Sequence, residues 1–260
     1  MPSSEYHPSC AYRIACWCIN GLNTLTDVFR ARRWIPSASP DLQEVLDRAR
    51  TRTDISDHLP TLFAEALLAR PRLIVELGVR GGESTFVLER VARLFNAQLV
   101  SVDLEDNLRV SPWSQWVFVK SDDITFAREF PQWCAGRQIQ PKIDFLFIDT
   151  SHRFEHTVQE ITLWFPWLGE QAKVAFHDTN QHRIYRRRDG SIGLGWRNRG
   201  VIAALEHHFN RKFDETVDFV ELLDGWLITH HAVCNGFTVL TRVPTHLESG
   251  SACRCSREAT

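Results

Sequence analysis

The sequence predicts an α/β fold in which a doubly wound, mainly parallel sheet follows a helical N-terminal extension. Three observations indicate this fold. Short apolar runs alternate with helical patterns from residue 72 onward, Gly-rich or acidic residues follow several of these runs, and no β-rich run precedes them. Strands that are buried on both faces and alternate with helices form βαβ units, and such units build a parallel sheet.

The composition sets broad limits on the function. The chain has 260 residues, of which 43% are hydrophobic and 24% charged, so we expect a buried core rather than disorder. The formal net charge of −2 does not indicate nucleic acid or an anionic membrane as a partner. No apolar run approaches the roughly 20 residues of a membrane-spanning helix. We therefore expect a soluble, cytoplasmic protein.

Residues 1–54 are predicted to form the helical extension, which would act as a lid or as a contact within a homo-oligomer. In this segment Asp41 precedes apolar residues at helical spacing, which predicts an N-capped amphipathic helix over residues 41–49. A second, richly apolar helix is predicted from Leu59 to Ala69, where Pro71 stops it.

Residues 55–245 are predicted to form the main domain, with a Rossmann-like sheet of seven strands. Residues 246–260 are small and polar, which predicts a disordered tail. The strands are predicted at Leu73–Leu77, Leu99–Val102, Trp116–Val119, Ile143–Ile148, Val174–Phe176, Thr216–Leu223 and Phe237–Arg242.

A Gly-rich turn follows the first strand in residues 73–85, which read LIVELGVRGGEST. Gly78, Gly81 and Gly82 permit positive φ angles and a close approach of the backbone to a ligand. In a doubly wound sheet, ligands bind at this edge, where the strand order reverses beside the first strand. The spacing fits neither the dinucleotide fingerprint nor the P-loop. Glu76 at the end of the strand suits an amine-bearing or cationic ligand.

Acidic residues also follow the second and third strands. Asp103 lies in VSVDLED, and Asp122 and Asp123 lie in FVKSDDIT. A carboxylate after the second strand of such folds binds ribose hydroxyls. Each residue alone is also a common helix cap or turn residue. Their position at the ends of consecutive strands favours a ligand site.

Together, ELGVRGGEST, VDLED and SDD resemble the cofactor half of a class I S-adenosylmethionine-dependent methyltransferase, over about residues 55–242. The resemblance implies that the first motif holds the amino-acid end of the cofactor. It further implies that the acid after strand two binds the ribose and that residues after strand three meet the adenine. The implied residues are Glu76, Gly78, Gly82 and Ser84 for the first motif, Asp103 for the second, and Ser121, Asp122 and Asp123 for the third.

Two more acidic residues follow the fourth and fifth strands, Asp149 in FLFIDTSHRFEH and Asp178 in KVAFHDTN. Neighbouring strands lie about 4.8 Å apart, so these carboxylates can share one hard divalent cation. His177 and Asn180 flank Asp178 and are candidates to complete the ligand set. A set rich in oxygen favours Mg²⁺ or Mn²⁺, and an imidazole would shift the preference toward softer ions.

His152 lies three residues beyond Asp149. An ordinary imidazole pKa near 6.5 suits it to take a proton from a hydroxyl that a metal ion has acidified. The alternative is that His152 only caps its helix and that His156, one turn later, only packs. The pair lacks the Glu of H-E-x-x-H, which excludes a zincin.

The segments IDTSH and HDTN resemble metal-dependent sugar O-methyltransferases of antibiotic biosynthesis and the related cephalosporin-hydroxylase-like group. The resemblance implies that Asp149 and Asp178 bind Mg²⁺ and that His152 is the base. His177 stands where the family has Glu or Asp, so the third ligand stays open. The implied acceptor is a sugar hydroxyl of a glycosylated small molecule. The alternatives are a catechol-type phenolic O-methyltransferase and a non-catalytic, cofactor-binding homologue that serves as a partner protein.

The acceptor pocket is expected to take its walls from residues 1–55 and from the long loop 181–199. Trp113 is a further candidate to line it. We expect the arginines of the loop to form a solvated face and assign none to the site. They are Arg183, Arg186, Arg187, Arg188, Arg197 and Arg199.

Overall fold

The computed structural model describes residues 39–243. Its helices are α1 (Pro40–Arg48), α2 (Leu59–Leu68), α3 (Glu83–Phe95), α4 (Asp123–Ala135), α5 (Phe154–Trp164) and α6 (Gly200–His208), with 3₁₀ turns at Ser56–His58 and Phe165–Trp167. Its strands are β1 (Leu73–Leu77), β2 (Gln98–Asp103), β3 (Trp116–Lys120), β4 (Ile143–Ile148), β5 (Leu168–His177), β6 (Ile184–Arg186), β7 (Ile192–Leu194), β8 (Phe219–Leu223), β9 (Trp226–His231) and β10 (Phe237–Arg242).

Within this part of the chain, eight strands form one sheet in the order β3-β2-β1-β4-β5-β10-β9-β8. Strands β1 to β5 are parallel, and β10 is antiparallel to both β5 and β9. Because β1 lies between β2 and β4, the strand order reverses beside it, as a doubly wound sheet requires. The predicted fold is confirmed.

The sheet has one strand more than predicted, namely β9. Its sequence, WLITHH, alternates buried and more exposed residues, so only one face carries apolar side chains into the core. Such a strand lacks the continuous apolar run by which the other strands were recognised. It pairs with β10 on one side and with β8 on the other.

Helix α1 begins at Pro40, and its N-cap is Ser39 rather than the predicted Asp41. The side chain of Ser39 accepts a hydrogen bond from the backbone N–H of Leu42 at 3.4 Å. Asp41 lies in the first turn, where a negative charge favours the helix dipole. Most of the predicted extension and the predicted tail lie outside the described residues.

Two apolar cores cover the faces of the sheet and hold its strand ends in place. One contains Phe126, Phe130 and the fully buried Trp164 between the sheet and helices α4 to α6. The other packs α2 and α3 against the opposite face. Trp113 contacts this second core, with the guanidinium of Arg93 over its ring at 5.4 Å. None of the helices in residues 39–243 is long and apolar enough to span a bilayer.

Candidate active site

The turn after β1 separates the roles of its glycines. Gly78 has φ +87° and packs against the main chain of Asp149 at the end of β4. Gly82 has φ +79°, and a Cβ there would lie 2.2 Å from Cγ1 of Val110. At Gly81 no atom of the described residues lies within 4 Å of an added Cβ. Gly81 also lines a cavity of about 180 Å³ at the start of α3, so its backbone is open to that cavity, whereas Val110 fills the space beside Gly82.

Glu76 is fully buried on the α3 side of β1. Its Oε2 accepts hydrogen bonds from Oγ1 of Thr85 at 2.8 Å and from Oγ of Ser101 at 2.5 Å. Burial raises its pKa to about 7, although hydrogen bonds from Ser101, Ser84 and Thr85 oppose that shift. Its Oε1 is buried and accepts no hydrogen bond of good geometry from the described residues, so this oxygen keeps acceptor capacity.

Asp103 supports the Gly-rich turn directly. Its Oδ2 accepts hydrogen bonds from the backbone N–H groups of Val79 at 2.7 Å and Arg80 at 3.0 Å. Its Oδ1 accepts one from the N–H of Glu105 at 2.9 Å. Since a carboxylate offers about four acceptor positions, Asp103 keeps capacity for a ribose hydroxyl while it orders the turn.

The three residues that were predicted to contact adenine make different contacts at the start of α4. Asp122 caps the helix by accepting from the N–H of Thr125 at 2.8 Å, and the hydroxyl of Ser121 donates to the backbone oxygen of Asp122 at 3.1 Å. Asp123 instead points inward, and its Oδ1 lies 3.0 Å from Nε2 of His156. The structure thus separates Asp123 from its two neighbours.

Asp149 and Asp178 meet at the carboxyl ends of β4 and β5, as predicted. Nε2 of His152 lies 3.0 Å from Oδ1 of Asp149 and 3.0 Å from Oδ2 of Asp178. Nδ1 of the buried His177 lies 3.3 and 3.5 Å from the same two oxygens. Two imidazoles therefore contact one carboxylate pair.

The charges in this group stabilise each other. Burial alone would raise the pKa of Asp149, but His177 and His152 lower it overall. For Asp178, burial likewise opposes ionisation, and His177 lowers the pKa overall. Burial would lower the pKa of both histidines, yet the carboxylates raise both pKa values. The carboxylates are thus held in the ionised form that a metal ion requires.

Two residues of this group have strained backbone conformations. His152 and Asp178 adopt left-handed φ angles of 54° and 57°. Such conformations in residues other than Gly cluster at functional sites. The loop before α6 fixes His152, because the side-chain amide of Asn198 donates to its backbone oxygen at 2.8 Å. At Gly200, an added Cβ would lie 2.2 Å from the same oxygen.

The donor set fits a divalent cation. Oδ1 of Asp178 is buried and has no hydrogen-bond partner among residues 39–243, and carboxylates with imidazoles are ligands for Mg²⁺, Mn²⁺ and Zn²⁺. For Asn180, the other candidate ligand, Oδ1 is likewise buried without a hydrogen-bond partner among the described residues, so it stays a candidate. Its Nδ2 donates to the backbone oxygen of Ala232 at 2.6 Å and holds the turn between β9 and β10.

A cavity of about 620 Å³ opens beside this group, and His152 and Asp178 line it. Residues 52–54 form one wall, and the loop 181–196 forms another. These are the two segments from which the walls were predicted. The loop is partly ordered as the β6–β7 hairpin.

Three pocket residues were missed by the sequence analysis. Arg187 was expected to be solvated but is buried, and its guanidinium donates to the backbone oxygen of Thr53 at 2.7 Å and to the hydroxyl of Tyr185 at 3.1 Å. Trp196 lines the cavity and is 46% exposed. Arg80 also lines it and pairs with Asp54. The sequence feature that could have indicated a pocket residue is Trp196, which lies in the Gly-rich segment GLGW.

Comparison with known proteins agrees with the doubly wound fold. Residues 75–179 match the family described as methyltransferase domain, which confirms the prediction of a methyltransferase enzyme. No curated protein matches the chain.

Solved structures share the fold at low identity. The O-methyltransferase from Bacillus cereus in complex with SAH is 14% identical, with a TM-score of 0.50 over 84% of this chain and 97% of that chain. Rv0187 from MTB, which is cofactor-bound, is 17% identical, with a TM-score of 0.51 over 84% of this chain and 96% of that chain. The MycE methyltransferase of the mycinamycin biosynthetic pathway, in complex with Mg and SAH, is 16% identical with a TM-score of 0.50. Its match covers 86% of this chain and 59% of that chain.

Proposed function

Given a methyltransferase domain built around this site, we propose that the chain transfers a methyl group from S-adenosylmethionine to a sugar hydroxyl of a glycosylated small molecule. A divalent cation, Mg²⁺ in the first place, would assist the reaction. Asp149 and Asp178 would hold it, with His177 as the third candidate ligand. His152 would be the general base.

One observation carries this proposal: His152 and the carboxylate pair lie between the Gly-rich turn and the larger cavity. The backbone of Asp149 packs on Gly78, while Asp178 lines the cavity. A donor held at the turn and an acceptor held in the cavity would therefore meet beside the base. This placement supports a transfer reaction between two bound molecules.

The residues of the chain have separable tasks in this reaction. Glu76, through Oε1, would bind the amino group of the cofactor, and Asp103 its ribose. With a cation on the two carboxylates, Nε2 of His152 would no longer donate to them, and His152 would take the proton of the acceptor hydroxyl there. The walls from residues 52–54 and 181–196 would orient the acceptor and exclude water. When bound, S-adenosylmethionine supplies an electrophilic methyl group and the cation lowers the pKa of the acceptor hydroxyl.

The cavity supports a polar acceptor of substantial size. Its volume of about 620 Å³ falls within the usual range for small-molecule sites. Arg52, Asp54, Gln181 and Asn235 contribute polar groups to its lining, and Trp196 contributes an aromatic face. Polar groups with one aromatic surface suit a sugar ring. The complex of MycE with Mg and SAH supports the same pairing of cofactor and metal.

The test is SAH formation across two acceptor panels, glycosylated natural products and catechols, with Mg²⁺ or with EDTA. We expect Mg²⁺-dependent turnover of glycosylated acceptors, its loss in Asp178→Asn, and normal turnover in the matched surface variant Asp47→Asn. Turnover confined to catechols would instead support the phenolic enzyme. Cofactor binding without turnover on either panel, unchanged by Mg²⁺, would support the non-catalytic homologue.

A further inference from the structure

A second cluster of possible metal ligands lies between α4 and α5, apart from the carboxylate pair described above. Asp123 is the first residue of α4, and His156 and Glu160 lie one turn apart on α5. Nε2 of His156 lies 3.0 Å from Oδ1 of Asp123 and 3.6 Å from Oε1 of Glu160. One donor atom from each residue lies within 4.8 Å of the other two.

Two carboxylate oxygens in this cluster lack partners. Oδ2 of Asp123 and Oε2 of Glu160 are buried and accept no hydrogen bond from any residue in the described range 39–243. Glu160 is fully buried, and the side chain of Asp123 is 9% exposed. Thr150 donates a hydrogen bond to Glu160, but at Oε1. Buried acceptors without donors are costly, and a single cation between them would satisfy both.

The charges of the cluster favour the same ligand. Burial and the negative charge of Asp123 together raise the pKa of Glu160 to about 7, against the opposing effects of the Thr150 hydrogen bond and of His156. The two acids therefore repel each other where little water can screen them. The side chain of His156 is 23% exposed, which gives an ion a route from solvent.

We propose that Asp123, His156 and Glu160 bind a divalent transition-metal ion, with Zn²⁺ as the best fit, in a site separate from the carboxylate pair of Asp149 and Asp178. One imidazole and two carboxylates form a mixed nitrogen and oxygen set, which suits Zn²⁺ better than Mg²⁺. The ion would tie the start of α4 to α5. Thr150 donates a hydrogen bond to Glu160 and is adjacent to Asp149 in the chain. The ion would therefore also stabilise the loop that carries Asp149 and His152.

Zinc binding by the full chain tests this site. The protein is stripped with a chelator, dialysed against buffered Zn²⁺ and analysed for bound metal. The parent is Asp149→Asn/Asp178→Asn, in which the carboxylate pair is removed. Adding His156→Gln or Glu160→Gln should remove one equivalent of Zn²⁺ or weaken its binding at least tenfold. The matched control is His207→Gln, which changes an exposed histidine on α6 and should bind as the parent does.

Unchanged zinc content in both cluster variants would overturn the proposal, because the acids would then share a proton instead of a metal. X-ray absorption at the zinc edge of the parent needs no change in the cluster, so it decides the question even if the cluster variants do not fold. We expect a first shell of nitrogen and oxygen with one imidazole. A shell that contains sulfur, or no bound zinc, would contradict the site.

Discussion

The Cα of Gly78 lies so close to Asp149 that a Cβ on Gly78 would be 2.0 Å from the backbone oxygen of Asp149. This contact joins the turn after β1 to the loop that carries Asp149, the first carboxylate of the proposed metal site. Strands β1 and β4 are neighbours in the sheet, and the N–H of Asp149 also donates to the backbone oxygen of Leu77 at 2.9 Å. The proposed cofactor and metal sites therefore share one piece of backbone.

Gly78→Ala should destabilise the fold by at least ~1–3 kcal/mol, because Ala would be strained at φ +87° and would collide with a main-chain atom. Chemical denaturation measures the loss. Gly81→Ala is the matched control, since its Cβ would enter open space, and it should cost less than about 1 kcal/mol. Equal losses in the two variants would contradict the assigned packing.

Asp103→Ala should weaken S-adenosylmethionine binding by about 1–3 kcal/mol, the cost of lost charge-assisted hydrogen bonds. It should also lower stability, because the turn loses the acceptor for Val79 and Arg80. Asp103→Asn keeps an acceptor oxygen and should recover much of the stability but not the full affinity. Calorimetry and thermal melts separate the two effects. Unchanged affinity in a folded Ala variant would remove Asp103 from the site.

Glu76 should make stability depend on pH. Its folded pKa of about 7 lies above the ordinary 4.5, so the folded protein holds this proton more tightly than the unfolded chain does. The resulting stability is fully present below pH 4.5 and declines as pH rises to about 7. Glu76→Gln cannot ionise, so at pH 8 it should be more stable than the wild type by up to roughly 3 kcal/mol.

Denaturant unfolding at several pH values between 4 and 8 checks this expectation, with the exposed Glu170→Gln as control. The same Glu76→Gln protein should bind the cofactor more weakly, because a neutral amide attracts an ammonium group less. If the stability difference between Glu76→Gln and the wild type does not grow with pH, burial does not raise the pKa of Glu76.

His152→Ala should lower kcat by about 10²–10⁴-fold, the usual contribution of a positioned general base. The contacts from Asn198 and Gly200 involve the backbone of His152, so the loop should keep its shape. Cofactor affinity should be unchanged, and activity should recover in part at high pH as hydroxide replaces the base. The control is His207→Ala. A normal kcat in His152→Ala would contradict the assignment of His152 as the general base.

His177→Asp tests the third ligand position. Without a cation, a third carboxylate beside Asp149 and Asp178 adds buried negative charge and should lower the melting temperature. Mg²⁺ prefers carboxylate oxygen, so it should stabilise this variant more than it stabilises the wild type. His177→Asn, which adds no charge, is the matched control. Equal Mg²⁺ shifts in all three proteins would place His177 outside the ligand set.

The sequence by itself determined the doubly wound sheet and the meeting of Asp149, Asp178, His152 and His177. Strands β1 to β5 each contain a short apolar run, and residues that follow parallel strands must arrive at the same edge of the sheet. Chain position alone therefore places such residues together, whatever the neighbouring loops do.

The tertiary structure decided which way the remaining side chains face. Asp123 was predicted at the cofactor edge, yet α5 brings His156 and Glu160 against it and draws it inward. Arg187 is buried because residues 52–54 pack onto its loop. These contacts join segments that are far apart in the chain. Local patterns encode the period of a helix or strand, but not the partner that its side chains will meet.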